Sequence, residues 1–245
     1  MRGARVLLVE FILLLGVCHV VAAADFALDG KRLMFNDRTW VYLDPSAPDT
    51  KKPALIFISR SDHDGSIHLE TRDFASGAQT SNGTLRLNAD GTIAELDGSL
   101  SAKTAVEHEA LTFQYDPDNV AVSVRSDSSS ARRTFPRTMP VLTASSLFFL
   151  IGGFNLDPTG RDSGVRMLMA SPTEIRDMEF NMKLVRNEQI TTAAGSFDTY
   201  TVEMSIGGIV GLFAPKITAW IDYRSHILVR VALPDNVTMD LVEIR

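Results

Sequence analysis

Cysteine is almost missing from this chain. Cys18 is the only one among 245 residues, and it lies in an apolar N-terminal stretch. With that stretch removed no thiol remains, so disulfide staples, thiolate metal sites and cysteine nucleophiles are excluded together. Basic charge is also scarce: 24 Lys and Arg stand against 30 Asp and Glu, for a formal charge of −6. The leader, with Arg2, Arg5 and Glu10, carries +1, which leaves −7 on residues 25–245 (−6 − 1). Such an acidic body lacks the basic face that nucleic acid requires, and the purely electrostatic grip that holds a protein on an anionic membrane. Signatures of catalysis are absent too. There is no G-x-S-x-G elbow, no phosphate-cradling glycine loop and no H-E-x-x-H pair. Gly160-Arg161-Asp162-Ser163-Gly164 has the outline of a serine-protease nucleophile loop, but no histidine sits in the context that would supply its base. Nothing in the residues calls for a cofactor, a resident metal or a reaction.

What is present begins with an export signal. Arg2 and Arg5 are followed by a nearly continuous apolar run from Val6 to Val21, then by Ala22, Ala23 and Ala24 before Asp25. Basic start, apolar core and small-residue site are the three parts signal peptidase reads. They predict a signal peptide over 1–24 and cleavage after Ala23 or Ala24. A membrane anchor is the alternative, although Glu10 interrupts a run already short of the ~20 apolar residues a spanning helix needs. Acylation at Cys18 is a third option, with Leu15 favouring it and Val17 opposing it.

Period-two alternation dominates the rest. Met178, Phe180, Met182 and Leu184 share one face, with Asp177, Glu179, Asn181 and Lys183 on the other, which is the pattern of a half-buried antiparallel strand. The pattern recurs at Tyr200, Val202, Met204 and Ile206, at Ile227, Val229, Val231 and Leu233, and at Met239 and Leu241. Ala54 to Ile58 is a continuous apolar run, read as a strand covered on both faces. Asp29-Gly30, Asp64-Gly65, Asn82-Gly83, Asp90-Gly91 and Asp97-Gly98 read as hairpin turns. The fold expected is therefore all-β and mainly antiparallel, a curved meander or incomplete barrel, in one domain over 25–245.

Two apolar segments interrupt this meander. Thr143 to Ile151 (TASSLFFLI) has a capping threonine and ends at Gly152-Gly153, which predicts a short helical insert near 143–153. Its Leu147, Phe148, Phe149 and Leu150, with Phe154, either plug the sheet or line a groove. Ser205 to Pro215 (SIGGIVGLFAP) is too apolar for an ordinary surface connection. It is either a core strand pair with a glycine bulge or an apolar surface for a ligand, membrane or partner. Two charged clusters are better explained without function. Ser61 to Glu70 gathers Asp62, His63, Asp64, His68 and Glu70, but a metal needs converging side chains, and a polar hairpin turn at Asp64-Gly65 explains them. Arg125, Arg132, Arg133 and Arg137 bracket the Ser-rich stretch 126–130. They read as a solvated loop, or as a contact for a phosphate or an acidic partner.

The C-terminal hundred residues carry an ordered set of short motifs: Ser145-Ser146-Leu147, Glu188-x-Ile190, Ala194-Gly195-x-Phe197-x-Thr199-Tyr200-x-Val202, Ile217-x-x-Trp220-x-Asp222 and Leu228-Val229-Arg230. In this order they resemble a bacterial family of uncharacterised exported proteins similar to the periplasmic lipoprotein-localisation factors. The resemblance implies a curved antiparallel sheet around a helix, with an apolar cavity for acyl chains, and it supplies no catalytic residue. On that basis Leu147, Phe148, Phe149, Phe154, Ile209, Leu212, Phe213 and Trp220 are expected to line an apolar groove, and Arg230 to meet an anionic headgroup or an outward ion pair. The function expected is a periplasmic, non-enzymatic carrier or sensor of a lipid or acylated molecule. The alternative is an interaction protein that docks on a membrane or envelope protein through Gly207 to Phe213.

Intact-mass measurement of the exported protein should find a new N-terminus at Ala24 or Asp25. A retained Met1, or an acylated Cys18, would contradict the signal-peptide reading.

Overall fold

The computed structural model describes residues 32–33, 37–46, 53–74, 79–87, 93–103, 108–115, 119–126, 129–136, 150–154, 156, 159, 163–170, 175–207, 215–234 and 237–245. The signal segment 1–24 with Cys18, the larger part of the expected helix (143–149) and most of the apolar loop (208–214) lie outside these residues, as do Asp29-Gly30, Asp90-Gly91 and Arg137. The described chain forms fourteen strands: β1 (Arg38–Leu43), β2 (Leu55–Ser61), β3 (Ile67–Asp73), β4 (Gln79–Leu87), β5 (Ile93–Lys103), β6 (His108–Tyr115), β7 (Asn119–Ser126), β8 (Ser130–Pro136), β9 (Ser163–Ala170), β10 (Ile175–Thr192), β11 (Gly195–Ile206), β12 (Ile217–Asp222), β13 (Leu228–Ala232) and β14 (Thr238–Ile244). All lie in one sheet, and every neighbouring pair is antiparallel. The all-β antiparallel expectation holds.

The strand order is β8-β7-β6-β5-β4-β3-β2-β1-β14-β13-β12-β11-β10-β9. It is two meanders joined at a seam between the first strand and the last. There Trp40 faces Ile244 and Leu43 faces Asp240, with a bulge at Val41/Tyr42. Thr39 and Arg245 exchange backbone hydrogen bonds of 2.9 Å in both directions beside it. The break in strand order falls at the β8 to β9 connection, whose two ends lie at opposite edges of the sheet. The Ser-rich stretch 126–130 lies at the junction of β7 and β8 within the first meander.

The sheet does not close, but it curls. Cα atoms of β10 come within 8 Å of those of β14, although three strands lie between them. In a flat sheet that separation would be about 19 Å. Bulges at Leu184/Arg186 in β10 and at Trp220/Ile221 between β12 and β13 add the local twist that such curling needs.

One apolar cluster spans the inner face of β1–β4 and β10–β14. It joins Trp40, Tyr42, Leu55, Phe57, Leu69 and Leu85 from the first meander to Phe180, Met182, Val202, Met204, Ile221 and Leu241 from the second. Between them sits a short segment of the β8–β9 connection, a 3-10 turn at Ile151–Gly153 flanked by Leu150 and Phe154. Leu150 and Ile151 are fully buried and Phe154 is 1% exposed. Burying three such side chains contributes about 5–9 kcal/mol as an upper bound.

Local expectations fared unevenly. Asp64-Gly65 is a turn, with Gly65 at φ 81°. Asn82-Gly83 and Asp97-Gly98 are not: they lie inside β4 and β5, where Gly83 faces Gly98 and Asn82 faces Ser99. A glycine pair that tolerates positive φ does not require it, and cross-strand pairing decides. Of the alternation at Ile227, Val229, Val231 and Leu233, Val229 and Val231 are fully buried and Ile227 and Leu233 pack against the core cluster. The bulge there adds Leu228 to the cluster and leaves Val229 buried outside it.

Gly152 is packed so tightly on the β12–β13 turn that a Cβ there would lie 1.8 Å from the His226 carbonyl oxygen. Gly152→Ala should therefore destabilise the protein by about 1–3 kcal/mol or more, as overpacked cores do. Urea unfolding should show a lower midpoint. An unchanged midpoint would mean that the turn is free to move.

Candidate functional site

On the inner face, the buried segment is anchored by its backbone. Tyr200 Oη donates to the Gly152 carbonyl at 3.4 Å and lies 3.5 Å from His226 Nδ1. Arg32 Nη1 donates to the Phe154 carbonyl at 3.2 Å. Burial pushes the Tyr200 phenol up to about 12, so it stays a neutral donor through the physiological range. Asp222 shapes the turn on which Gly152 rests: its Oδ2 accepts from the backbone N–H of Arg224 at 3.2 Å and of Ser225 at 2.7 Å, and from Ser225 Oγ at 2.6 Å. His226, at φ 54°, is the one described non-glycine residue in the left-handed region. Tyr42 ties the two meanders together, donating to the Leu228 carbonyl at 2.7 Å from a fully buried ring.

The outer face carries a polar row across five strands. Register places Thr201 beside Trp220, Trp220 beside Arg230 and Arg230 beside Asp240. Glu188 Oε1 accepts from Trp220 Nε1 at 2.6 Å, Arg186 Nε at 2.7 Å and Thr201 Oγ1 at 3.1 Å. Those donors, the indole first, hold the Glu188 carboxyl below the usual carboxylate range. Arg230 makes a two-pronged ion pair with Asp240, one arm being Nη2 to Oδ2 at 2.7 Å. Its guanidinium also lies 5.9 Å from the centre of the Trp220 ring, within cation–π range.

The expected groove residues are thereby separated. Phe154 belongs to the inner cluster, whereas Trp220 stands on the outer face, because Ala219 and Ile221 beside it point to the core. Leu147, Phe148, Phe149, Ile209, Leu212 and Phe213 lie outside the described residues. Arg230 forms the outward ion pair, and the residues facing it on the adjacent strands, Trp220 and Asp240, lie outside the apolar cluster. Ser61 to Glu70 does not converge on a point. Asp64 Oδ1 accepts from Ser66 N at 3.0 Å and Oγ at 2.5 Å, Arg86 pairs with Asp64 at 3.0 Å, and Glu70 pairs with Arg72 at 2.6 Å. Among the described residues no three His, Cys, Asp or Glu side chains are grouped to hold a metal ion.

The partnerships of Glu188 with Trp220, and of Tyr200 with Gly152, were not foreseen, although these residues stand in the C-terminal motifs. One signal was available for Trp220. Alternation through Ile217, Ala219 and Ile221 leaves Thr218 and Trp220 together on the opposite side.

The chain matches no family model and no curated protein. Among solved structures it has a loose similarity to a Parabacteroides distasonis protein provisionally described as a lipoprotein. Identity is 14%, the match covers 85% of this chain and 95% of that one, and the TM-score is 0.31.

A carboxylate held low contributes stability above its unfolded pKa of ~4.3, and that contribution is lost as pH falls through the lower folded value. Glu188→Gln should accordingly lower the urea midpoint at pH 7. The gap between variant and wild type should shrink as the pH approaches 3. A gap that is constant with pH would show that the glutamate acts through shape and not charge.

Proposed function

We propose that the chain is an exported, non-enzymatic carrier or sensor of an apolar ligand, an acyl chain or acylated molecule, in the periplasm. The observation that carries this reading is the architecture of the inner face. A curled antiparallel sheet presents apolar side chains from both meanders, and a loop segment with two glycines covers the centre where a second sheet or a long helix would ordinarily pack. The motif resemblance in the C-terminal hundred residues supports the same reading.

Magnitudes allow such an exchange. An acyl chain of about fourteen carbons gains on the order of 10 kcal/mol when buried, at ~0.8 kcal/mol per methylene. Displacing Leu150, Ile151 and Phe154 would return about 5–9 kcal/mol of that. The surplus is a few kcal/mol before ordering costs, which suits a protein that must both load and release. The two backbone anchors seen among the described residues, at 3.2 and 3.4 Å, are long ones.

A second reading is favoured by one observation, the near-complete burial of those three side chains, as in a permanently filled core. The protein would then act by docking through its apolar 207–213 segment, with no small ligand. Lipid mass spectrometry on gently purified protein, a fluorescent fatty-acid titration and thermal unfolding separate the two. A carrier should bring lipid with it or take it up. At a hundredfold excess over Kd the ligand should add about 2.7 kcal/mol of stability, or roughly 5–10 °C in Tm. Phe154→Ala should cost the apo protein about 3–5 kcal/mol, with ligand restoring part of it. If wild type neither carries nor binds lipid and its Tm does not move, the docking reading takes its place.

A further inference from the structure

We infer that the Thr71 hydroxyl is the hydrogen-bonding point for an acyl ester carbonyl of the ligand, which lies on the inner face over Gly83 and Gly98. The inference rests on the carrier reading above and names the chemical group that the first meander recognises. Alternation in β3 sends Ile67 and Leu69 to the apolar cluster, while Glu70 pairs with Arg72 on the other side. Thr71 shares the face of Leu69 and is 2% exposed. Among the described residues its Oγ1 is buried without a hydrogen-bond partner. A hydroxyl in that state leaves its desolvation cost uncompensated, and valine fills the same shape without incurring it. The threonine is accounted for if its partner arrives with a ligand.

A second observation lies beside it. Thr71 stands opposite Ser81 on β4, which makes Gly83 its diagonal neighbour. Leu85, two residues further along β4, belongs to the cluster, so Gly83 lies on the inner face as well. Gly83 faces Gly98 on β5 in a stretch of regular ladder, where no turn or bulge calls for glycine. Two adjacent inner positions thus carry no side chain, the condition under which a ligand can approach a strand backbone closely. Charge identifies the group. Phe57 and Leu69, which face Thr71 and Gly83, are apolar members of the cluster. One neutral hydroxyl among them cannot compensate a buried carboxylate or phosphate. A neutral carbonyl needs one donor, which Thr71 supplies, and the same two side chains give the adjoining hydrocarbon an apolar bed.

The test is titration calorimetry on the full chain with methyl myristate and with tetradecane, both delivered from cyclodextrin. Thr71→Val should weaken methyl myristate about tenfold and leave tetradecane unchanged. Thr71→Ser, which keeps the hydroxyl, should stay close to wild type. Without ligand, Thr71→Val should raise the Tm by about 2–4 °C, since it removes an unpaired buried group. A lower Tm would show that the hydroxyl is bonded within the protein, and the inference falls. It falls too, with the carrier reading intact, if wild type and Thr71→Val bind methyl myristate equally, as they would with a buried water on the hydroxyl. An equal loss for tetradecane overturns it as well, because the change would then act through shape. If wild type binds neither probe, the carrier reading fails and this inference goes with it.

Discussion

The segment Leu150–Phe154 is the constraint from which the rest of the molecule follows. Its chain must pass from β8 at one edge of a fourteen-stranded sheet to β9 at the other. The segment itself lies on the inner face, where its side chains join the cluster built by both meanders. A sheet this wide with one wet face and one apolar face would otherwise have to expose the apolar one or fold onto a second layer. Here Leu150–Phe154 of the connection takes that place over the centre of the cluster. Gly152 is what lets it lie flat against the His226 carbonyl, and Tyr200 supplies a buried donor for the carbonyl that the bend leaves unpaired.

Curling of the second meander keeps that segment enclosed, and the outer-face row works in the same direction. Glu188, Thr201, Trp220, Arg230 and Asp240 come from five successive strands and are linked by charged hydrogen bonds and one cation–π contact. Individually, half-exposed ion pairs contribute little. Linked across the convex side, they hold the spacing and stagger of β10 to β14, whose outer members the curl brings together.

Fold class was legible in the sequence because alternation survives wherever pairing is regular, as from Met178 to Leu184. It fails at bulges. Val185 is the extra residue between Leu184 and Arg186 and is 41% exposed. Beyond it the inward parity of β10 inverts, so that Glu188 faces Trp220 across the outer surface and not the core. No pattern of residue types in KLVRNE announces this, since a bulge is settled by the register of the partner strand. The glycine pairs at 83 and 98 misled for a related reason, as their pairing is with each other. The strand order was not legible either, because nothing local tells the first strand to seek the last. At the site, Phe154 was readable as apolar and Trp220 was not readable as a member of a polar row until its own neighbours were counted.

The seam between β1 and β14 has a consequence for how the protein is made. Trp40 and Ile244 are partners separated by nearly the whole chain, and closing so long a loop is entropically costly and slow. During synthesis β1 and the apolar β2 beside it emerge first, yet β1 cannot acquire its second neighbour until the last strand is out. Hairpins of the first meander can form early, but they remain an open sheet with an unsheltered apolar face. Maturation therefore waits on the synthesis of β14. The interval before the seam closes is when a holding chaperone would matter most, and destabilising β14 should slow folding more than an equal change in β7.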